Sequence, residues 1–376
     1  MDNIIIGGGP AGLSAAAELC KKGFSAKVYE EDKQIGKPVQ CTGIVTRDIL
    51  KETRLDDNVI LNKLQKAIIH SPGNETELKL KDLVIDRAAF DKQMGEMARS
   101  EGAKVFLNKR VSGLKKTKNG FFLDDKINKN AKNTKSPNNQ NYHNYHNYQN
   151  IIAANGPASS FRELINPNLK LKYLTGKQAI IKGTFDAESF HVYFGNDFPG
   201  FFGWIVPESE NTARVGLATG KNPGEYFEKF LQKINLNKKN IKEYNAGLIP
   251  IYEPGIKTQR KNLFLLGDAA GQVKATTGGG IVPGLKASKC LAKSIAEEKS
   301  YEKFWRKKIG AELYMHQKIR KSLDTFTNKD YDSLIEVLRK SKKTLEEGSR
   351  DSMIKMLPKI ALKNPGLIRF IKNIRI

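Results

Sequence analysis

The first thirty residues constrain the fold of this chain more than any other segment. An apolar run at residues 3–6 leads into Gly7-Gly8-Gly9-Pro10-Ala11-Gly12, a helix-forming run follows to Lys22, and residues 25–30 have the composition of a second strand. Strand, glycine-rich turn, helix and strand within about 30 residues predict a βαβ unit with parallel strands. The chain is therefore predicted to be an α/β protein.

The glycines of this turn have the spacing G-x-G-x-x-G, at Gly7, Gly9 and Gly12, and Glu30 closes the second strand. The first glycine permits a tight turn, the second lets the backbone approach a pyrophosphate, and the third lets helix and strand pack closely. The free N–H groups of the helix start favour phosphate, and the acid can accept ribose hydroxyls. An ordinary glycine-rich turn is the alternative, but the terminal acid favours a dinucleotide.

A second motif distinguishes between dinucleotides. Residues 263–271 read L-F-L-L-G-D-A-A-G, an apolar strand that ends in Gly267-Asp268. Here the chain resembles the flavoproteins of the glutathione-reductase superfamily, particularly the p-hydroxybenzoate-hydroxylase-like branch, whose Gly-Asp motif contacts the ribityl chain of FAD. The resemblance implies that FAD is the cofactor and that Asp268 binds it.

Four further segments narrow the resemblance. They are G-K-P-V-Q-C-T-G at 36–43, the pair Asp86-Arg87, F-P-G-F-F-G-W-I-V-P at 198–207 and A-T-T-G-G-G-I at 275–281. In this order they resemble the geranylgeranyl reductase family of FAD-dependent oxidoreductases, most closely its archaeal branch, over most of residues 1–300. The resemblance implies a reductase that saturates the geranylgeranyl chains of archaeal ether phospholipids. It also implies an isoprenoid ether lipid as substrate and an electron donor such as ferredoxin or NAD(P)H.

The family's contacts carry over to positions of this sequence. The FAD contacts implied are Gly7, Gly9, Ala11, Gly12, Glu30, Cys41, Thr42, Gly43, Arg87, Val111, Asp268, Gly280 and Ile281. An aromatic stripe is expected to line an apolar cleft beside the flavin, with Tyr193, Phe202, Trp204 and Pro207 as substrate residues and Phe201 and Ile205 next to them. Ordinary sheet core is the alternative for that stripe.

Cys41 is the candidate catalytic residue. It is either a small apolar loop residue or a thiol close to the flavin, with Cys290 as a candidate partner for reversible pairing. The sequence also departs from the family: Asn155 stands where the superfamily often has Asp, and Glu208 where the family has Lys. These two changes bear on the electron donor.

The motifs and composition divide the chain. Residues 1–165 and 255–300 are predicted to form a discontinuous FAD-binding domain, residues 166–254 an antiparallel substrate sheet joined by 62–85, and residues 301–376 a basic helical region. Residues 126–150 are rich in Asn, Lys, Tyr and His and predict a disordered insertion. His143 and His146 in it raise the alternative of metal binding, but a low-complexity loop is the preferred interpretation and no metal site is expected.

The charge is unusual, because 64 Lys and Arg against 40 Asp and Glu give +24. Nucleic acid, an anionic membrane surface and composition bias are the possible causes; no nucleic-acid module is present, so no such partner is expected. Residues 353–376 contain six basic residues and no acid, and the apolar residues Leu367, Phe370, Ile371 and Ile374 recur at helical spacing. This segment is predicted to lie on an anionic membrane or on its own domain.

Three cysteines, no apolar run of 18 residues and no export signal predict a cytoplasmic protein that associates peripherally with the membrane. Two functional alternatives remain at this level. One is a related FAD-dependent monooxygenase or dehydrogenase with another apolar substrate. The other is a non-catalytic binding protein on a decayed flavin fold, against which the intact glycines and Asp268 argue.

Overall fold

The computed structural model describes residues 2–118, 120–123, 148–348 and 353–363. The strands are β1 (Asp2–Ile6), β2 (Ser25–Tyr29), β3 (Ile44–Thr46), β4 (Ile60–His70), β5 (Glu75–Ile85), β6 (Lys104–Phe106), β7 (Leu114–Lys116), β8 (Phe121–Leu123), β9 (Tyr148–Ala153), β10 (Tyr173–Lys182), β11 (Ser189–Tyr193), β12 (Gly203–Ser209), β13 (Thr212–Thr219), β14 (Ile241–Pro250), β15 (Gln259–Arg260) and β16 (Leu263–Leu265). The α-helices are α1 (Pro10–Cys20), α2 (Arg87–Ser100), α3 (Phe161–Ile165), α4 (Pro223–Lys233), α5 (Ile281–Ala296), α6 (Tyr301–Trp305), α7 (Ala311–Leu323), α8 (Asn328–Lys340), α9 (Lys342–Glu346) and α10 (Met353–Lys363).

The first sheet has the strand order β15-β16-β9-β1-β2-β6 and is parallel except for the edge pair β15–β16. The predicted βαβ unit is present as β1, α1 and β2. The helix begins at Pro10, three residues before the predicted start, because proline lacks an N–H and is favoured at the first helical position. Strand β1 is buried on both faces, as a central parallel strand must be.

Two cores cover the faces of this sheet. Helices α1, α2 and α5 pack on one face around Leu13, Phe90 and Leu285. The β7–β8 hairpin and α3 cover the other face with Phe121 and Phe161. Together they make a three-layer domain, as the α/β prediction requires.

The second sheet has the order β14-β10-β13-β12-β11-β4-β5-β3. It takes β3, β4 and β5 from the early part of the chain. All its neighbouring pairs are antiparallel except β4 and β11, which run parallel, so the sheet is mixed where an antiparallel one was expected. More than a hundred residues separate these two strands in sequence, which allows the long connection that a parallel pair needs.

The C-terminal helices pack on both sheets. Trp305 of α6 donates from Nε1 to Oγ1 of Thr258 at 2.8 Å, beside the first sheet. On the second sheet, Oδ1 of Asp332 in α8 accepts from the Ser71 hydroxyl at 2.5 Å and from the Gly73 N–H at 2.8 Å. This region therefore closes over the β4–β5 hairpin.

Several predictions fall on other parts of the chain. The membrane-facing helix at 367–374, together with His143 and His146, lies outside the described residues. The insertion was predicted to extend to residue 150, but β9 begins at Tyr148, because Asn150 pairs with Asn3 of β1. In the described ranges no helix is long and apolar enough to cross a membrane, and no cluster of three His, Cys, Asp or Glu could hold a metal ion.

Candidate functional site

The glycine-rich turn leaves room where a phosphate group would lie. Gly7 has a φ of 106°, and a Cβ there would collide with the carbonyl oxygen of Ala154. A Cβ at Gly12 would collide with the carbonyl oxygen of Gly7, whereas a Cβ at Gly9 would meet no atom within 4 Å. Helix α1 starts here without a side-chain cap from any described residue and without an acid in its first turn. Its N–H groups are therefore directed at open space that suits an anion.

Glu30 is fixed at the end of β2. Its Oε2 accepts from the N–H of Gly8 at 2.5 Å and its Oε1 from the N–H of Asp32 at 2.9 Å. These bonds hold the carboxylate against the glycine-rich turn, where ribose hydroxyls can donate to it. Val111 is buried on the face of the first sheet that the β7–β8 hairpin and α3 cover. Its contact with adenine stays a prediction.

The Gly-Asp motif, about 250 residues downstream, comes directly against this turn. The backbone after β16 turns at Gly267, where a Cβ would lie 2.9 Å from Cβ of Ala11. A Cβ at Gly280 would lie 2.7 Å from Oδ1 of Asp268. Burial raises the pKa of Asp268 to about 6, although the nearby Arg87 and Arg162 guanidinium groups act to lower it. The two motifs thus form one continuous surface.

Arg87 lies near Asp268 and beside residues 41–43, which form the Cys41 loop. Its Nε and Nη2 donate to the carboxylate of Asp91 at 3.1 and 2.9 Å, and the guanidinium is also beside the side chain of Cys41. Burial by itself would lower the pKa of Arg87, but Asp91 and Cys41 raise it above its usual range. The residue therefore remains a cation next to Asp268 and the Cys41 loop.

A buried ion pair holds the Cys41 loop in place. Arg214 of β13 donates from Nη1 to the carbonyl oxygens of Thr42 at 2.6 Å and Cys41 at 3.3 Å. Its Nε donates to Oε1 of Glu208 at 2.7 Å. Gln178 adds a bond from Nε2 to the carbonyl oxygen of Cys41 at 3.1 Å. Arg214 and Gln178 thus hold the backbone of the Cys41 loop, and Glu208 holds the guanidinium of Arg214.

Sequence reasoning missed Arg214 and Gln178 in this role. A signal was present, because Arg214 interrupts the apolar run of β13 and a charged residue inside a buried strand usually has a specific partner. The partner belongs to a loop more than 170 residues away, and that could not be deduced from local pattern.

An apolar cavity of about 340 Å³ opens between the Cys41 loop, the start of α5 and one face of the second sheet. This volume lies in the range of about 300–1,000 Å³ that is usual for small-molecule sites. The second sheet and the segment between β11 and β12 contribute mainly aliphatic and aromatic side chains: Ala67, Ile69, Leu78, Leu80, Phe190, Val192, Phe194, Phe201, Phe202, Trp204, Val206 and Ile249. The loops contribute residues 40–46 and 276–283, so Cys41, Thr42, Gly43, Gly280 and Ile281 all line it.

Three of the expected cleft residues lie elsewhere. Tyr193 is on the opposite face of the sheet, stacked on His70 with ring centroids 4.4 Å apart, and Ile205 belongs to the same cluster. Val192, the residue before Tyr193, takes the cavity position, because successive side chains of a strand alternate between faces. Pro207 is also outside the lining; its carbonyl oxygen accepts from Nδ2 of Asn62 at 3.0 Å.

The three cysteines are free thiols. Cys41 lines the cavity, and its Sγ accepts from the N–H of Gly43 at 3.3 Å. Cys290 lies nine residues into α5 and packs against the core of the first domain, where burial raises its pKa. The two are not bonded to each other in this structure.

The residues fit FAD along its length. The uncapped start of α1, the open space over Gly9 and the carboxylate of Glu30 suit the adenosine diphosphate half. The carboxylate of Asp268 suits the ribityl hydroxyls, and the start of α5 at Gly280 has no side-chain cap from the described residues. These features lead from the glycine-rich turn to the rim of the apolar cavity, which is where a flavin ring would have to meet an apolar substrate.

Comparison with known proteins shows that the chain is related to FAD-binding proteins. The model of a family described as FAD binding domain matches residues 1–300. Digeranylgeranylglycerophospholipid reductase 1 of Methanococcoides burtonii is 30% identical over 363 residues, covering 89% of this chain and 86% of that protein. Digeranylgeranylglycerophospholipid reductase of Methanocaldococcus jannaschii is 28% identical over 408 residues, covering 99% of this chain and 98% of that protein.

Solved structures show the same fold. A geranylgeranyl bacteriochlorophyll reductase-like protein of Thermoplasma acidophilum superposes with a TM-score of 0.80 at 22% identity, covering 99% of this chain and 98% of that one. The flavin-dependent halogenase CmlS superposes with a TM-score of 0.64 at 15% identity, covering 99% of this chain and 77% of that one.

Proposed function

This chain belongs to the geranylgeranyl reductase family of FAD-dependent oxidoreductases, and from this premise we propose that it saturates the geranylgeranyl chains of an archaeal ether phospholipid. The observation that carries the proposal is the apolar cavity at the end of the FAD-binding surface. A polar substrate would leave its hydrogen-bonding groups unsatisfied against these aliphatic and aromatic walls. A polyisoprenoid chain has no such groups and gains free energy from burial there.

The reaction defines what the chain's residues must do. An isolated trisubstituted double bond has no carbonyl to take up negative charge, so hydride addition to one carbon requires a proton at the other. FAD held by these residues would, once reduced, supply the hydride from N5 of the flavin. The Cys41 loop and the start of α5 hold the double bond at the rim, and the walls of the cavity exclude water. Cys41 itself remains a candidate for a direct chemical role.

We propose reduced ferredoxin or NAD(P)H as the source of electrons. Glu208, which replaces the family's Lys, forms an ion pair with Arg214 and has only 15% of its side chain exposed. It is therefore a structural group here and not a contact for a nucleotide. Anaerobic bleaching of the bound flavin by each donor in turn distinguishes between them.

The direct test is anaerobic incubation of the FAD-reduced protein with digeranylgeranylglycerophospholipid. The expected product is lipid heavier by two hydrogens for each double bond reduced, measured by mass spectrometry. Unchanged lipid mass would overturn the proposal. Oxygen consumption coupled to NAD(P)H oxidation would instead indicate the related monooxygenase, and protein that neither retains nor takes up FAD would indicate a decayed flavin fold.

A pair of neighbouring residues on β4 tests whether the cavity holds the substrate. Ala67 lines the cavity, and Ala67→Phe is expected to block the chain and reduce lipid turnover at least about tenfold while FAD stays bound. Ile68 pairs with His191, whose side chain is on the opposite face, and Ile68→Phe is the control that adds a ring there. Equal turnover by both variants would show that the substrate lies elsewhere.

A further inference from the structure

We propose that Thr276, His316 and Glu312 form a proton relay that supplies the second hydrogen of each reduced double bond. The inference rests on the proposed function and adds to it a source for the proton. It is carried by a hydrogen bond between the wall of the cavity and a buried histidine in a helix behind that wall.

The cavity holds few groups that can donate a proton. Among the described residues that line it, only Cys41 and Lys274 have titratable side chains. The sulfur of Cys41 already accepts from the Gly43 N–H, and the side chain lies beside the guanidinium of Arg87. Thr276 also lines the cavity, and its hydroxyl becomes a proton donor if a group behind it can replace the proton.

His316 is such a group. Its Nδ1 lies 2.5 Å from Oγ1 of Thr276, and the side chain is only 1% exposed, so the imidazole is held behind the hydroxyl and away from solvent. This contact joins the 276–280 loop to α7, 40 residues later in the chain. The hydroxyl is therefore the link between the cavity and the imidazole.

The other nitrogen of His316 leads outward. Its Nε2 is 3.4 Å from Oε1 of Glu312, one turn earlier on α7, at ion-pair distance but without the alignment of a hydrogen bond. The side chain of Glu312 is 17% exposed, so its carboxyl group has contact with solvent. Carboxyl, imidazole and hydroxyl thus form a row from the protein surface to the cavity.

The step balances as follows. One alkene carbon receives hydride from reduced FAD, which ferredoxin or NAD(P)H has reduced beforehand, and the other carbon receives the Thr276 hydroxyl proton. The oxygen of Thr276 takes the proton from Nδ1 of His316, while Nε2 gains one from Glu312 or from solvent through it. The C=C π bond is replaced by two C–H bonds, FAD would be left oxidised, and the imidazole ends as its other neutral tautomer. Before the next double bond is reduced, Nε2 returns its proton to Glu312 and Nδ1 takes one, through Thr276, from water that enters the cavity as the product leaves. Thr276 would touch substrate, whereas His316 and Glu312 act through it.

Turnover by variants tests the relay. Thr276→Val removes only the hydroxyl and His316→Gln removes only the titratable ring, and each is expected to slow lipid reduction by about 100-fold or more, as loss of a general acid does. Thr276→Ser, which restores a hydroxyl, is expected to recover most of that loss. Flavin content and the rate at which dithionite reduces the flavin are expected to stay at wild-type values, because neither needs the proton.

A second histidine provides the control. His191 is half-buried on the face of the sheet opposite the cavity. Its Nδ1 is hydrogen-bonded to Nε2 of His70 at 2.9 Å. His191→Gln is therefore expected to leave lipid reduction unchanged. If wild-type protein reduces no lipid, the proposed function fails; if it does and Thr276→Val or His316→Gln retains the rate, the relay alone fails. Loss of the rate in Cys41→Ser or Lys274→Met with normal turnover in His316→Gln would assign the proton to that residue.

A spectroscopic measurement separates the relay from a purely structural contact. In protein labelled with ¹⁵N-histidine and left without substrate, the His316 signals are identified by their loss in His316→Gln. Thr276→Val is expected to shift the Nδ1 resonance and Glu312→Gln the Nε2 resonance of the same ring. An unchanged Nδ1 resonance in Thr276→Val would show that the hydrogen bond does not exist in solution, and the relay would be rejected.

Discussion

Asp268 is a carboxyl group whose pKa is raised by its place in the fold. Burial raises its pKa from the ordinary value of 3.8 to about 6, and the opposing influence of Arg87 and Arg162 does not cancel this. In the proposed complex the ribityl hydroxyls of FAD donate to this carboxylate, and such bonds favour its ionised form. The ionised side chain of Asp268 is therefore expected to destabilise the FAD-free protein more than the complex with FAD.

We predict that Asp268→Asn changes the pH dependence of stability in FAD-free protein. A carboxyl group with a raised pKa in the folded state stabilises that state below its unfolded pKa, and this contribution is lost as pH rises through the folded value. Two pKa units correspond to about 3 kcal/mol, so wild type should lose up to about that much between pH 4 and 7 relative to the variant. Urea unfolding across this pH range measures it, with the exposed pair residue Asp197→Asn as control.

Asp268→Asn, which should stabilise the FAD-free protein near pH 7, is expected to weaken the binding of FAD. Loss of a charged acceptor is expected to weaken FAD binding by about 1.5–3 kcal/mol, or roughly 10- to 100-fold. Fluorescence titration of the FAD-free protein gives the dissociation constant. Wild-type affinity in Asp268→Asn would exclude a contact between this residue and the ribityl chain.

At the scale of elements, the decisive contact is the one between β13 and the Cys41 loop. The side chains of Arg214 and Glu208 are only 6% and 15% exposed, and their separation is 2.6 Å. A Cβ at Gly43 would lie 2.5 Å from Nη1 of Arg214, so the loop and the guanidinium fit closely. The second sheet thus positions a loop that is predicted to contact FAD.

We predict that Glu208→Ala destabilises the protein by about 3 kcal/mol, because it leaves the buried cation of Arg214 without its carboxylate. The exposed pair Glu225–Lys229 offers the matched control, and Glu225→Ala should lower the free energy of unfolding far less, because solvent screens an exposed pair. Chemical unfolding measures both. Equal effects would mean that Arg214 is satisfied by the loop carbonyls alone.

For the whole molecule, the excess of positive charge is the property that no single element explains. The sum is +24, and three of the basic residues belong to residues 364–376, which lie outside the described residues. We propose that the protein binds an anionic membrane surface, since an ether phospholipid with two isoprenoid chains is held in a bilayer. Each basic residue near such a surface contributes about 1 kcal/mol.

Replacement of Arg369, Lys372 and Arg375 by Gln is expected to weaken binding to anionic vesicles by about 3 kcal/mol, roughly 100-fold. Co-sedimentation with phosphatidylserine-containing vesicles at low and high salt measures this, and neutral vesicles should bind little. Lys238, Lys239 and Lys242 replaced together remove the same charge from another place and serve as control. Equal losses in the two triple variants would indicate net charge alone and not this segment.

The sequence by itself determined the cofactor half of the site. A phosphate cradle depends on backbone geometry, which a few consecutive glycines encode, so Gly7, Gly9 and Gly12 identified it without knowledge of the fold. Asp268 was indicated by the resemblance of Gly267-Asp268 to a flavoprotein motif, and its contact with FAD stays a prediction. Local steric constraints can be deduced from neighbours in the chain.

Only the tertiary structure decided the substrate half. Which face of a strand lines the cavity depends on register, and a shift of one residue exchanges Tyr193 for Val192. Arg214, Gln178 and His316 act on loops far from them in sequence, so no local pattern could have assigned their partners. Their roles arise from packing between distant segments, and that packing is specified by the whole chain.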